Sequence, residues 1–458
     1  MSTQTIAAIA TALSNSGVSI IRISGNESLN IIKKIFKTSY TLEPNKIVYG
    51  KILRDNTVLD EALVSYFKAP RSFTGEDICE INCHGGNQIT REILELVLDN
   101  GARLAEPGEF SKRAFLNGKM DLSQAEAVIN LINAKSRTSA RVASHQLEGN
   151  LSNKIKTLRE ELIELLAHIE VSVDYPEYDY DEVENDNVIF LLNKKIKEVN
   201  NLVDTFEQGR IIKDGINVAI LGKPNVGKSS LLNYLAKYDR AIVTDIAGTT
   251  RDVVEESVNI GDFVLNIADT AGIRDTEDVV EKIGVEKSIK KLDEVDFVIY
   301  MISAENEIDD YDKNILSKIQ NKGLKYIVLI NKMEKKEKSI FNTFLNELNK
   351  IEVQNVIPVS IYNDFGLEEL KKYIINTFNK NDLDFEHELI ITNERHKDLL
   401  KKSVEYLESA LNEVNMGQPI DIISIYIKKA AKTLGEVIGA DVSEDVVHKI
   451  FEKFCLGK

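Results

Sequence analysis

The chain has 458 residues, a formal net charge of −16 at pH 7 and 28% charged residues. This length exceeds what one ordinary hydrophobic core fills and predicts about three domains. The acidic excess excludes a generally basic nucleic-acid coat, so we expect any RNA contact at local basic patches or through a partner protein.

The three cysteines, Cys79, Cys83 and Cys455, are too few and too scattered for a disulfide framework or a four-ligand zinc site. The N-terminus lacks a basic segment ahead of an apolar one, and no uncharged stretch approaches about eighteen apolar residues. We therefore expect a soluble, cytoplasmic protein with no membrane anchor.

The first part of the chain mixes short β-rich runs with turns. Residues 18–23, 62–67 and 78–83 have the composition of strands, whereas apolar residues within 87–98 recur at helical spacing. This pattern predicts a compact α+β domain over residues 1–118.

Long helices are predicted on both sides of the middle of the chain. Apolar residues recur at three- and four-residue steps over 151–169, 189–203, 399–414 and 422–437. The acidic run 174–186 between the first two is interpreted as a solvated loop. We predict a discontinuous all-α domain, 119–211 and 379–458, into which an α/β phosphate-loop domain, 212–378, is inserted.

Residues 222–230 read Gly-Lys-Pro-Asn-Val-Gly-Lys-Ser-Ser, after the apolar run 216–221 and before a helical segment. Two glycines permit a tight turn whose backbone N–H groups converge on phosphate oxygens. Lys228 can reach the β and γ phosphates, and the Ser229 hydroxyl can bind Mg²⁺. The sequence therefore predicts a nucleotide site here.

Two later motifs indicate the nucleotide. Asp269 follows a strand-like run and can support the Mg²⁺ shell, while Gly272 can sense a γ-phosphate. Residues 331–334, Asn-Lys-Met-Glu, resemble the guanine-reading Asn-Lys-x-Asp motif, although Glu334 carries one methylene more than aspartate. Ser360 stands where the last base-contacting loop is expected. GTP is favoured over ATP.

The hydrolytic groups are less defined by the residues alone. Ile273 occupies the position where many small GTPases have a water-orienting glutamine. A carboxylate within 274–284 can take that role, or the segment is a solvated switch loop. Arg251, Arg274 or a bound monovalent ion can supply the cation that phosphoryl transfer requires.

These motifs together resemble the MnmE (TrmE) family, the GTPases of tRNA wobble-uridine modification. The resemblance covers the whole chain and includes further motifs at 73–77, 83–86, 107–110, 113–119 and 392–396. Its most discriminating part is the terminal Phe-Cys-Leu-Gly-Lys, 454–458.

The resemblance implies a set of GTP-binding residues: Asn225, Val226, Gly227, Lys228, Ser229, Ser230, Thr244, Asp245, Ile246, Ala247, Gly248, Thr249, Thr250, Asp269, Thr270, Ala271, Gly272, Asn331, Lys332, Glu334 and Ser360. Among them, it implies K⁺ at Asn225, Thr244, Ile246 and Thr249 in place of an arginine finger. It also implies Mg²⁺ at Ser229 and Thr250. Glu281 matches the family's water-positioning glutamate.

The resemblance also implies that Arg22, Glu80, Lys119 and Lys458 bind a tetrahydrofolate one-carbon donor, in a 5-formyl or methylene form. Without it, the first three residues are ordinary surface charges. Cys455 is then either a nucleophile in the modification chemistry or a small packed hydrophobic residue.

The function implied is a K⁺-dependent GTP hydrolase that forms a homodimer and a heterotetramer or larger assembly with a flavin-dependent, MnmG-like protein. Together they would install a (carboxymethyl)aminomethyl group at C5 of the wobble uridine of tRNA. The alternative is a GTP-gated RNA or ribosome assembly factor without folate chemistry. That class would be expected to carry a recognisable RNA-binding module, and none is visible in the sequence.

Overall fold

The computed structural model describes residues 4–174, 185–238, 255–268, 292–334, 338–378, 389–440 and 442–452, with Phe454 and Gly457. The chain forms two compact units. The first comprises residues 1–129, 145–197 and 399–458, and the second comprises residues 130–144 and 198–398. The finer division of the first unit into an α+β and a helical domain stays a prediction.

The first unit contains a seven-stranded sheet with the order β3-β4-β5-β6-β2-β1-β7. Its strands are β1 (Ile6–Ile9), β2 (Ser16–Ser24), β3 (Phe36–Lys37), β4 (Ile47–Arg54), β5 (Thr57–Phe67), β6 (Ile78–Gly85) and β7 (Arg103–Leu104). All neighbours are antiparallel except β1 and β7. Strand β4 alternates buried and exposed residues, as expected of a sheet packed on one face.

The second unit contains a six-stranded sheet with the order β13-β12-β11-β8-β10-β9. Its strands are β8 (Ile216–Gly222), β9 (Glu255–Ile260), β10 (Phe263–Ala268), β11 (Phe297–Ser303), β12 (Lys325–Asn331) and β13 (Val356–Pro358). The pairs are parallel except the edge hairpin of β9 and β10. Strand β11 is buried throughout, as expected of a parallel strand covered on both faces.

Fifteen helices lie in the described part of the chain. They are α1 (Ser28–Ile35), α2 (Asn87–Asp99), α3 (Glu109–Leu116), α4 (Leu122–Ile132), α5 (Arg137–Leu147), α6 (Asn150–Asp174), α7 (Asn185–Asp204), α8 (Phe206–Asp214), α9 (Lys228–Tyr238), α10 (Asp310–Asn321), α11 (Lys338–Asn349), α12 (Leu367–Phe378), α13 (Glu394–Asn415), α14 (Ile420–Val437) and α15 (Glu444–Phe451).

The long helices follow the apolar periodicity of the sequence. Leu151, Ile155 and Leu158, each one turn apart on α6, are at most 3% exposed. The helices and strands predicted from the sequence are confirmed, and the interior of the acidic loop, 175–184, lies outside the described residues. Among the described residues, the helices include none with the length and apolar character that a membrane crossing requires.

Candidate functional site

The phosphate loop connects β8 to α9, in the order that the sequence predicts. Gly222, Asn225 and Gly227 have φ angles of 142°, 61° and 105°. A Cβ atom on Gly222 would lie 2.3 Å from the Met301 carbonyl oxygen, and one on Gly227 would lie 2.3 Å from Asn331 Nδ2. Both glycines are therefore required by close packing as well as by backbone conformation.

Lys228 is held over this loop by the loop's own backbone. Its Nζ donates hydrogen bonds of 2.7 Å to the carbonyl oxygens of Gly222 and Lys223. Burial lowers the pKa of Lys228 below that of an ordinary lysine. An ammonium group in this position can neutralise charge on a phosphate bound by the loop.

The Lys223 side chain is anchored by two carboxylates. Its Nζ lies 2.7 Å from Asp312 Oδ2 and 2.8 Å from Asp309 Oδ2. Asp312 also accepts a 2.7 Å hydrogen bond from the hydroxyl of Tyr300, and both residues are buried. Burial alone would lower the pKa of Lys223, but hydrogen bonds to the two carboxylates outweigh it and raise that pKa.

Sequence reasoning missed this network. Asp309 caps α10 and Asp312 returns its side chain to the Asp309 backbone N–H, which is a capping box. The Asp-x-x-Asp spacing before an apolar helix is a signal that could have located the cap. Nothing local in the sequence connects it to Lys223, because the contact spans 89 residues.

The guanine-reading motif lies next to the phosphate loop. Asn331 is 4% exposed, and its Nδ2 donates a 2.8 Å hydrogen bond to the Val226 carbonyl oxygen. Its Oδ1 accepts from the Ile361 backbone N–H at 3.4 Å. One amide side chain thus connects the phosphate loop to the segment that carries Ser360.

The other predicted base-contacting residues differ in exposure. Lys332 has a positive φ of 65° and pairs with Glu305 at 2.6 Å. Glu334 is exposed, whereas Ser360 is buried and its hydroxyl accepts from the Asn363 backbone N–H at 3.3 Å. The geometry leaves the Glu334 carboxylate accessible to a base.

Ser229 and Ser230 are exposed in the first turn of α9. Within the described part of the chain, the Ser229 hydroxyl has no hydrogen-bond partner, so it is available as a Mg²⁺ ligand. It lies at a helix N-terminus, where a bound phosphate is favoured. Several predicted residues lie outside the described residues: Thr244, Asp245, Ile246, Ala247, Gly248, Thr249, Thr250, Asp269, Thr270, Ala271, Gly272, Glu281, Cys455 and Lys458.

A second group of predicted residues meets on the seven-stranded sheet. Arg22 on β2 and Glu80 on β6 are directly opposite in register, and their side chains form an ion pair with a 2.8 Å N···O distance. The Arg22 guanidinium carbon lies 5.5 Å from the ring centroid of Phe73 and 5.8 Å from that of Phe110. These rings were not predicted, and only the fold places them there.

The chain terminus reaches the same place. Arg22 donates a 3.4 Å hydrogen bond to the Gly457 carbonyl oxygen, and a Cβ atom on Gly457 would lie 2.3 Å from the Ile9 carbonyl oxygen. Lys119 instead donates to the Pro70 carbonyl oxygen at 3.0 Å. The structure therefore brings Arg22, Glu80 and Gly457 together, and the Lys119 ammonium is held by a backbone carbonyl.

The two described cysteines are structural. Cys79 and Cys83 are buried in the core of the first unit, and burial raises the pKa of Cys79 to about 12 and raises that of Cys83. His84 pairs with Asp60 at 2.6 Å. The described residues contain no group of three or more histidine, cysteine, aspartate or glutamate side chains that could hold a metal ion.

Comparison with known proteins gives a consistent family. A family model for the MnmE helical domain matches residues 122–455, and one for the N-terminus of the GTP-binding protein TrmE matches residues 5–119. The chain is 49% identical over 459 residues to the tRNA modification GTPase MnmE of Acetivibrio thermocellus, and 46% identical over 464 residues to that of Alkaliphilus oremlandii. Each alignment covers 99% of both chains.

Solved structures match in part. Era from Aquifex aeolicus bound to GDP.AlF4- is 30% identical, with 43% of this chain and 67% of that chain covered and a TM-score of 0.30. The G domain of the FeoB iron transporter of T. maritima is 25% identical, with 36% and 99% covered and a TM-score of 0.26.

Proposed function

We propose that this chain, which belongs to the MnmE family of tRNA modification GTPases, is a K⁺-dependent GTP hydrolase that modifies the wobble uridine of tRNA with a folate-derived carbon. Its product would be uridine carrying a (carboxymethyl)aminomethyl group at C5. The observation that supports the hydrolase most strongly is the phosphate loop, in which two backbone carbonyls aim the Lys228 ammonium.

Residues in and around the phosphate loop would have separate roles in phosphoryl transfer. Lys228 would neutralise charge on the β and γ phosphates, while Asn331 holds the loop against the base-reading segment. Ser229, together with Thr250, would hold Mg²⁺, which would supply charge neutralisation for the phosphates. Glu281 would orient the attacking water.

Potassium is proposed as the cation that replaces an arginine finger. Asn225, Thr244, Ile246 and Thr249 would hold it. Asn225 lies on the phosphate loop in the left-handed conformation, and its exposed side chain is accessible to an ion, which supports the assignment. Its carbonyl-type side-chain oxygen suits a monovalent cation.

The folate proposal concerns the first unit. Arg22 and Glu80 present a cation and a carboxylate side by side, at 19% exposure each, between aromatic rings. A folate has carboxylates that an arginine can bind and ring N–H groups that a glutamate can bind, so each charge type of the pair matches one kind of group on this ligand. Lys119 and Lys458 would complete the site, and Cys455 would act as a nucleophile or pack as a hydrophobic residue.

The proposed assembly is a homodimer that binds a flavin-dependent, MnmG-like protein and tRNA in the cytoplasm. The N-terminal α+β region, 1–118, would carry the folate and the dimer contacts. Residues 212–378 would carry GTP, inserted between helical segments 119–211 and 379–458. The family match leaves the alternative, an RNA or ribosome assembly factor, without a supporting observation.

The test is nucleoside mass spectrometry of tRNA incubated with the chain, the flavoprotein, GTP, Mg²⁺, K⁺, a methylene folate and glycine, the amine that would supply the carboxymethylamino group. We expect a mass increase at the wobble uridine with the wild type and none with Lys228→Ala. Arg22→Ala should lose modification while retaining GTP hydrolysis. Modification that proceeds equally without this chain would contradict the proposal.

A further inference from the structure

A cavity of about 490 Å³ opens on the first unit beside the edge of its seven-stranded sheet. It is formed by the end of α1, the short edge strand β3 and the segment that follows it. Its lining includes Lys33, Lys34, Lys37 and Tyr40 and contains no aspartate or glutamate. In a chain with 73 acidic and 57 basic residues, the charged side chains that line this cavity are all lysines.

These lysines lack the partners that neutralise lysines elsewhere. Within the described part of the chain, Lys33, Lys34 and Lys37 are exposed and form no ion pair. The nearest acidic residues in sequence are engaged: Glu27 accepts from Asn30, and Glu43 pairs with Lys46 at 2.6 Å. Among the described residues, no ion pair therefore offsets the positive charge of these three lysines.

The sheet register concentrates this charge further. Lys37 on β3 stands directly opposite Lys51 on β4, a placement of like charges that is unfavourable in an antiparallel pair. The charge of Lys51 is neutralised by an ion pair with Glu61 at 3.4 Å, whereas no ion pair of the described residues neutralises Lys37. An external anion would relieve the remaining repulsion.

The cavity also offers an aromatic surface. Tyr40 is 68% exposed, and its backbone N–H is fixed by Thr38 Oγ1 at 3.2 Å. Lysines beside an exposed aromatic ring are the combination that binds a nucleic-acid backbone together with a stacked base. An acidic protein partner would pair with the lysines, but it would gain less from the Tyr40 ring than a nucleic acid whose base can stack on it.

We infer that this lysine cavity, defined by Lys33, Lys34, Lys37 and Tyr40, contacts backbone phosphates of the tRNA substrate. The inference rests on the proposed function, because tRNA is the polyanion that this function supplies. It places the RNA contact on a local basic patch in an otherwise acidic chain.

The test measures binding of fluorescently labelled tRNA to the full-length chain over a series of NaCl concentrations without nucleotide. Each lysine that neutralises one phosphate contributes about one to the slope of log affinity against log salt. We expect Lys33→Gln, Lys34→Gln and Lys37→Gln combined to make that negative slope shallower, by about two to three. The tRNA affinity should fall at least about tenfold, while GTP hydrolysis stays unchanged.

Three further variants separate local charge from other effects. Lys313→Gln, Lys322→Gln and Lys371→Gln combined remove the same charge from lysines paired with Asp310, Asp293 and Glu368. This control should leave the slope near the wild-type value. Lys33→Arg, Lys34→Arg and Lys37→Arg combined should keep the wild-type slope, and Tyr40→Leu should weaken binding without changing the slope.

Equal slopes for the glutamine triple variant and the wild type would overturn the inference, as would equal losses in the control triple variant. A triple variant that binds tRNA normally but loses the flavoprotein would assign the cavity to a protein partner instead. If the wild type modifies tRNA yet the triple variant binds it normally, only this inference fails. If the wild type neither binds nor modifies tRNA, the proposed function fails with it.

Discussion

Lys223 Nζ lies 2.7 Å from Asp312 Oδ2, while the carbonyl oxygen of the same lysine accepts a 2.7 Å hydrogen bond from Lys228 Nζ. The side chain therefore anchors the peptide that aims the phosphate-binding lysine. Asp312 itself is fixed by Tyr300 and by the capping box of α10. The phosphate loop is thus positioned by strand β11 and helix α10 as well as by its own glycines.

Asp312→Asn should weaken this anchor. Loss of a buried charged hydrogen bond costs about 2 kcal/mol, so the thermal unfolding midpoint should fall by several degrees. GTP affinity should fall as well, because Lys228 loses a fixed acceptor. Asp310→Asn is the matched control, since Asp310 is fully exposed on the same helix, and its variant should behave like the wild type in both measurements.

GTP binding should depend on pH through Lys228. Burial lowers the pKa of this group in the protein, and a bound phosphate favours the charged form and raises it again. The affinity for GTP should therefore be highest below the pKa that Lys228 has in the nucleotide-free protein, and it should fall as the pH rises through that pKa. Titration calorimetry across alkaline pH should also show proton uptake on binding, and its absence would indicate that Lys228 does not contact the phosphates.

Glu334 should read guanine despite its extra methylene. A carboxylate that accepts from the ring N–H and the 2-amino group loses one bond when the base is hypoxanthine, so GTP should bind more tightly than inosine triphosphate. Glu334→Ala should remove most of this preference, a change of about 10- to 100-fold, because charged hydrogen bonds are worth about 1.5–3 kcal/mol. Competition binding measures it, and an unchanged preference would assign base reading to other groups.

Cys79 and Cys83 should resist alkylation in the folded protein. Burial raises the pKa of both thiols, to about 12 for Cys79, so little reactive thiolate exists at pH 8. Peptide mass spectrometry after iodoacetamide treatment should find both unmodified until denaturant is added. Rapid labelling of either residue in the native state would show that the sheet opens.

The sequence predicted the strands and helices well because their signals are local. Apolar runs bounded by turn residues located β8 and β12, and glycine spacing located the phosphate loop between β8 and α9. Long-range contacts had no such signal. The Lys223–Asp312 pair spans 89 residues and the contact of Arg22 with Gly457 spans 435, so only the folded chain reveals them.

The pairing of Arg22 with Glu80 was predicted only in part, because the two residues were identified from the sequence but their contact was not. Both residues were selected through the family resemblance, and on charge alone they were surface residues. Their meeting depends on the register between β2 and β6, in which a shift of one residue would place them on opposite faces of the sheet. The rings of Phe73 and Phe110 beside Arg22 are likewise a product of the fold.

The central claim, a GTP hydrolase assisted by a monovalent cation, is tested most directly by hydrolysis rates in K⁺ and Na⁺ at equal ionic strength, with ATP as the base control. We predict strong stimulation by K⁺ that is restricted to GTP. Asn225→Gly keeps the positive φ of 61° without strain and removes the side chain, so it should abolish the difference between the two ions. Equal wild-type rates in K⁺ and Na⁺ would contradict the account.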